Sequence, residues 1–453
     1  MDKRRILALL LGLALVRGLI YAAIVPPWQA PDEPYHFLSA RSPHIQHLPD
    51  AESNWQQLQT EIIASMVQFR FWDTIVFVPA VSGQDDVYRY LPNGLRATPR
   101  PITPRAFTYY LLSPLLRGVG HQGVAFQLYW GRVLSIVINM GVVAVAFGIA
   151  QLLFGQDPFG TLLLPLSIVF LPTHTGMMAA VNDGNLAELL VSVAIFFLLL
   201  AVVRGFRWHL LALVAVFTIL GVAAKPTTFY FVPVLLLLLV IYGLRKMPGW
   251  WKLLIVPIVF ALVYGMMLAS LRFESLFRRT LQRVTGAATG EFFVDLKTLP
   301  FQRSLVEVLG RFAADLGWHS LPVSDVWGWV FLILTILAAI GLITAAWRNI
   351  RAGGGVWPRD PVGRAMLICI LCVVADLAVL AVASAIYGIS YYSARYVLGA
   401  VIPIMTLLVI GWRQLIPRNW RVEGLALMAS FFFLFDAVAV LDYAVPFFYP
   451  LWR

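Results

Sequence analysis

The 453-residue chain is 60% hydrophobic and only 13% charged, which excludes a water-solvated globular domain and describes a polytopic membrane protein. Its net charge of +11 is therefore read through the loops that carry the Lys and Arg, and no nucleic-acid partner is inferred from it. Two cysteines exclude a disulfide framework: Cys369-Ile-Leu-Cys372 lies inside an apolar run with no second pair and reads as core packing, not as a metal or redox site.

A bilayer core of roughly 30 Å needs about 20 helical residues. The sequence predicts an all-α protein of about eleven such spans, forming one transmembrane domain over 1–453 with two large external loops that bear amphipathic interfacial helices. The first span, 6–25, follows Lys3, Arg4 and Arg5. A signal-peptide reading, with small residues at Ala22 and Ala23, competes with it, but the apolar stretch is span length and both readings leave the next segment outside. That segment, 26–123, is the first external loop. It opens with PPWQAPDEPYHF at Pro26–Phe37 and continues through an amphipathic helix, Glu52 to Phe71, whose Trp55, Leu58, Ile62, Ile63 and Met66 recur at helical spacing. A second helix, Phe107 to Leu116, carries Tyr109 and Tyr110, and both helices are expected on the membrane surface with their rings at headgroup level.

Spans follow at 124–152 and 159–179, joined by the neutral turn Gly155-Gln-Asp-Pro158. An external turn with His174, Asn182 and Asp183 leads to 184–203, then come 208–224, the turn Lys225-Pro226-Thr227, 226–244 and 252–271. The second external loop, 272–325, begins with Arg272, Arg278, Arg279 and Arg283, a cluster that reads as a solvated loop near anionic headgroups or as an entrance for a lipid phosphate. The last spans are 326–347, 365–388, 396–412 and 421–443, with Tyr391, Tyr392, Arg395 and Tyr396 on the turn before the tenth. A cytoplasmic N-terminus places Arg204, Arg207, Arg245, Lys246, Arg348, Arg351, Arg413, Arg418 and Arg421 inside, as the positive-inside rule requires.

Asp32 and Glu33 then lie at the outer surface between Pro31 and Pro34, which limit the backbone's freedom. In extended structure neighbouring side chains point to opposite sides, so one acid faces a given cavity. An acidic turn with a helix cap is the plainer reading. Lys225 and Arg395 run against the charge bias of external turns, and singly each reads as a snorkelling anchor. Together, four loops deliver Asp32, Asp183, Lys225 and Arg395 to one surface, which suits an anion site beside a base.

This arrangement resembles the GT-C superfamily of integral-membrane glycosyltransferases that use polyprenyl-phosphate sugars. The residues that carry the resemblance are Pro31-Asp32-Glu33-Pro34-Tyr35-His36-Phe37, Tyr109-Tyr110, Asn182-Asp183, Lys225 and Arg395-Tyr396. The DExxHF run resembles the first-loop motif of protein O-mannosyltransferases, and PDEPxHF that of related bacterial membrane proteins. The resemblance implies that Asp32 is the catalytic base, with Glu33 a helper or structural partner. It implies that His36, Tyr109, Tyr110, Asn182, Asp183, Lys225, Arg395, Tyr396 and Arg272 contact substrate, and it leaves a divalent metal at the second acidic site open. The donor is then a polyprenyl-phosphate-linked sugar and the acceptor a hydroxyl of a glycan, lipid or protein, in a bacterial plasma membrane with the active site extracytoplasmic. Many superfamily members carry a longer soluble C-terminal domain, whereas this sequence reaches Arg453 soon after its last span.

The residues point to the same donor class, because an external site has no nucleotide-sugar supply and the chain has no DxD motif. Attack from the face opposite the phosphate implies inversion, with Lys225, Arg395 and Arg272 stabilising the departing phosphate. The competing reading is a secondary transporter or translocase of lipid-linked saccharide that uses the intramembrane acids Glu188, Asp376 and Asp436, and a noncatalytic scaffold is the third.

Overall fold

The computed structural model of the chain describes residues 2–73, 106–246, 305–317, 321, 324–351, 358, 360–387 and 394–450. Among these, every regular element is helical. Helix α1 (Lys3–Ile24) starts from an Asp2 cap and stops at Val25, because Pro26 and Pro27 force the chain out of the helical region. Three helices of the first loop follow: α2 (Glu33–Ile45), α3 (Ala51–Gln68) and α4 (Phe107–Arg117). Helix α5 (Val124–Phe154) leads to α6 (Pro158–Val169), α7 (Pro172–Met178), α8 (Asp183–Arg204), α9 (Trp208–Ala224) and α10 (Phe231–Lys246), with a 3₁₀ turn at Pro226–Tyr230 before α10. The second half comprises α11 (Leu305–Ala313), α12 (Asp325–Arg351), α13 (Pro361–Tyr387), α14 (Val401–Leu415), α15 (Arg421–Val438) and α16 (Val445–Phe448). A π-helical stretch, Ala439–Ala444, joins the last two.

Seven helical stretches are long and apolar enough to cross a membrane, and the α6–α7 pair, bent by 59°, makes an eighth if it is one span. Two more of the expected spans, 208–224 and 226–244, fall on shorter apolar helices, and 252–271 lies outside the described residues. The chain is thus a polytopic helical membrane protein. The third expected span, 159–179, is not continuous. Pro172 drives Leu171 into extended backbone and ends α6, so the polypeptide turns there instead of running straight through.

Helix α8 packs against both α5 and α9, α1 lies along α5, and α14 is wedged among α6, α12 and α13. One large apolar cluster runs through these spans, from Leu10 and Val142 to Phe432 and Phe435. A buried ion pair between Arg17 and Asp436, with the Tyr21 hydroxyl donating to Asp436 at 2.8 Å, ties α1 to α15 across almost the whole sequence. Two charges in a lipid-facing bundle are tolerable only when paired in this way.

The first loop builds a separate cap over one end of the bundle. Trp28, Phe37, Trp55, Ile62, Met66, Phe71, Tyr109 and Leu112 form its own core, with Trp28 edge-on to Phe37 at 5.5 Å. All five residues of the predicted α3 stripe are buried. That stripe is turned into the protein, not laid on the membrane surface, because α2, α4 and α5 offer it a packed apolar face. Helix α4 keeps the interfacial character: Tyr109 and Leu112 point inward, while Phe107, Tyr110, Leu111 and Leu115 form an exposed apolar strip.

Candidate functional site

The acid pair does not sit in extended backbone. Asp32 adopts left-handed geometry, φ 59° and ψ 10°, which Asp tolerates better than most residues, and Glu33 is already the first residue of α2. The two carboxylates diverge, as expected of them, but through a helix start.

Glu33 turns inward and is fully buried. One oxygen accepts from Arg132 Nε at 2.8 Å and from the Val181 amide at 3.2 Å, and the other accepts from Arg132 Nη2 at 2.6 Å and from the Trp28 amide at 3.0 Å. Arg132 spends its remaining N–H groups on the carbonyls of Ala22, Val25 and Pro26 at 2.6–3.0 Å. Every donor of the guanidinium and every lone-pair site of the carboxylate is engaged. The pair therefore clamps the end of α1, the α2 start and the turn before α8 onto α5. Trp28 shares in this: it holds a positive φ of 73°, unusual for so bulky a residue, with its amide on Glu33 and its indole N–H donating to Ser65 at 3.0 Å.

Asp32 turns the other way, its side chain 38% exposed, and meets Arg395 Nη1 at 2.8 Å. Arg395 is delivered by the 3₁₀ turn Ala394–Tyr396 ahead of α14. It also donates to the Tyr396 hydroxyl at 2.9 Å, and its Nε is buried without a hydrogen-bond partner among the described residues. Beside it, Lys225 at the end of α9 pairs with Asp183 at 2.8 Å and donates to Asn182 Oδ1 at 3.3 Å. Asn182 caps α8 through the Gly184 amide at 2.6 Å, so the Asn182-Asp183 pair is fixed by the helix that it starts. The Thr108 hydroxyl of α4 donates to the Asp183 carbonyl at 3.2 Å and draws the cap down onto this turn.

His36 lies between the two ion pairs. It is buried, its Nδ1 is 2.6 Å from the Tyr109 hydroxyl, and it feels Asp183, Lys225, Asp32 and Arg395 electrostatically. Burial pushes its pKa below the ordinary 6.5, with the two carboxylates opposing that shift and the two cations adding to it. The imidazole is therefore neutral at pH 7. Tyr110 faces away, half exposed, and Arg272, Tyr391 and Tyr392 lie outside the described residues.

A cavity of about 30 Å³ opens among Asn182, Glu188, Lys225, Thr228 and Arg395. It has room for water and not for a sugar. Glu188 at its edge is 2.6 Å from His174 Nε2 of α7. Of the three intramembrane acids, Asp436 has an ion-pair partner and Glu188 a hydrogen-bond partner in His174, whereas Asp376 keeps one carboxyl oxygen buried with no hydrogen-bond partner among the described residues. No group of three His, Cys, Asp or Glu converges as metal ligands among the described residues, and Asp183 faces Lys225, not a second carboxylate.

Arg132 is the residue that sequence reasoning passed over, and His174, noted only as part of the turn before 184–203, was given no partner there. A lone Arg in an apolar run is a signal in itself, since it must find a partner. Family models and curated proteins were both searched for matches to this chain, and neither gave one.

Proposed function

We propose that the chain is an inverting membrane glycosyltransferase that moves a sugar from a polyprenyl-phosphate donor to a hydroxyl acceptor at the extracytoplasmic face. The observation that carries this reading is the side-by-side placement of the Asp32–Arg395 and Asp183–Lys225 ion pairs around a neutral, buried His36. A base and an anion site are needed together for this chemistry, and here each cation is held by a carboxylate that a phosphate can replace.

The exchange suits the chemistry. A donor phosphate that takes Arg395, including its buried Nε, releases Asp32 from its partner. Asp32 then accepts the proton of the acceptor hydroxyl, the hydroxyl oxygen bonds to the anomeric carbon, and the carbon–oxygen bond to phosphate breaks with its electron pair leaving on the polyprenyl phosphate. Arg395 and Lys225 stabilise that charge. Arg272 joins them in this reading as a further phosphate contact. Glu33 has no lone pair to offer and acts as a positioning residue for Asp32. The alternative, a transporter or translocase of lipid-linked saccharide, keeps Asp376 as its candidate, since Asp436 is paired with Arg17 and Glu188 contacts His174.

The test is to offer radiolabelled polyprenyl-phosphate sugars to the purified chain in lipid and to separate water-soluble from lipid products. Sugar transfer supports the enzyme; passage of intact lipid-linked saccharide without cleavage overturns it in favour of transport. Orientation has its own check: a cysteine placed at exposed Gln56 reacts with an impermeant thiol reagent from outside, and one at Asn349 does not. The reverse labelling pattern would move the site to the wrong side of the membrane for a lipid-linked donor.

A further inference from the structure

Helix α14 links the Arg395 turn to an unrelated cluster about 22 Å away, since its 15 residues rise about 1.5 Å each. At that far end lies a cavity of about 450 Å³ lined by Arg348 of α12, Arg413 and Gln414 of α14, and Arg418 and Arg421 around the start of α15. Among the described residues no Asp or Glu lines it. The nearest counter-charge is Asp157, the cap of α6, whose Oδ2 accepts from Arg413 Nε at 2.5 Å and from Arg421 Nη1 at 2.7 Å. Its Oδ1 accepts the Phe159 amide at 3.2 Å, so this carboxylate is held by three donors. Among the described residues Arg348 donates to the neutral Gln414 amide oxygen at 3.3 Å, and both Arg348 and Arg418 are exposed.

Four guanidinium groups thus share one open pocket, with Arg413 and Arg421 paired to Asp157 and with Arg348 and Arg418 exposed at its mouth, where an oxyanion can reach them. Exposed Trp347 near the end of α12 and exposed Trp420 on the turn before α15 adjoin it, and exposed tryptophans next to arginines mark the headgroup layer of a membrane. Positive charge at this end of the bundle is expected of a cytoplasmic face; a walled cavity that gathers four arginines from three helices is not required by that rule. We propose that this cavity binds a phosphate group, with Arg348 and Arg418 as the cations that hold it and the Asp157 pairs fixing the wall behind them. The phosphate is carried by an anionic phospholipid headgroup or is free in solution, and both present the tetrahedral oxyanion that a guanidinium fork recognises.

The experiment uses the full chain in phosphatidylcholine nanodiscs. Phosphatidylglycerol retention is followed by native mass spectrometry, and the thermal midpoint is followed with phosphatidylglycerol or inorganic phosphate added. The site variant is Arg348→Gln/Arg418→Gln, which leaves both Asp157 ion pairs in place. The control is Arg204→Gln/Arg207→Gln, which removes the same charge from exposed positions at the same end of the bundle. Each charged hydrogen bond is worth enough to change affinity about tenfold or more, so the site variant loses retention by at least that factor while the control keeps it. A midpoint rise with phosphatidylglycerol alone identifies a lipid headgroup, and a rise with inorganic phosphate identifies a soluble anion. Equal losses in the site and control variants, or no added stability from either ligand, would overturn the proposal.

Discussion

Two ion-pair clusters begin at neighbouring residues and are built to opposite standards. Around Glu33 every donor and acceptor is matched and no water reaches the pair, so the cluster behaves as a rivet between α1, α2 and α5. Around Asp32 the packing is more open: the Asp32–Arg395 pair is partly exposed, and the Arg395 Nε has no hydrogen-bond partner among the described residues. The difference separates scaffolding from chemistry. A saturated carboxylate cannot take a proton from a substrate, while one held by a single exchangeable cation can.

The largest expected effect is on the sealed cluster. Arg132→Met strands a buried carboxylate, and Glu33→Gln strands a buried guanidinium; breaking such a pair costs about 3–5 kcal/mol. Both variants are expected to lower the thermal midpoint sharply or to fail to accumulate. Glu33→Gln is thus expected to be severe through folding. A Glu33→Gln protein that melts normally and yet transfers no sugar would erase the contrast and make Glu33 the base.

Next in size is Asp32→Asn, which keeps the shape of the side chain and removes its basicity. The protein is expected to fold and to bind donor while transfer falls by about 10²–10⁴-fold in a single-turnover assay. Full activity in this variant would leave Asp32 with a structural role only. Arg395→Ala and Lys225→Ala sharpen the comparison further: each is expected to weaken donor binding by about 1.5–3 kcal/mol, read as a higher Kd for the polyprenyl phosphate, with a normal melting profile. Unchanged affinity in both would remove them from the phosphate site.

The smallest effect belongs to His36. Its folded pKa lies below the ordinary 6.5 because of burial, so the unfolded chain binds the proton first as pH falls. Its contribution to stability is complete above about pH 6.5 and declines as the pH drops toward the folded value. His36→Gln is expected to remove that part of the acid slope in thermal midpoints taken between about pH 7 and pH 5. An identical slope in variant and parent would mean that His36 is not held neutral.

Much of the cap was readable because its signals are local. Trp55, Leu58, Ile62, Ile63 and Met66 share one helical face, and all five are buried; only what they face differs, since nothing in the period tells lipid from protein. Lys225 and Arg395 were visible as cations in the wrong place, and the structure brings them to Asp183 and Asp32. The Glu33–Arg132 pair was not readable, because its partners are 99 residues apart and neither local spacing nor hydropathy encodes such a match. The break before Pro172 was masked for a related reason: a window long enough to detect a span averages across one proline, so 159–179 scores as a single apolar segment even though its backbone turns.

That turn has a mechanical side. Helix α7 is short, set off by the bend at Leu171, and fastened in its first turn by the Glu188–His174 contact beside the small cavity. Its Thr173 hydroxyl is held from the segment 305–315, donating to the Arg311 carbonyl at 2.9 Å and accepting from the Asp315 amide at 2.6 Å. Thr173 and His174 are adjacent, so two neighbouring side chains of one short helix tie the segment 305–315 to Glu188 of α8 at the edge of the small cavity, and a stretch far from Asp32 in sequence is fastened to the surroundings of the site.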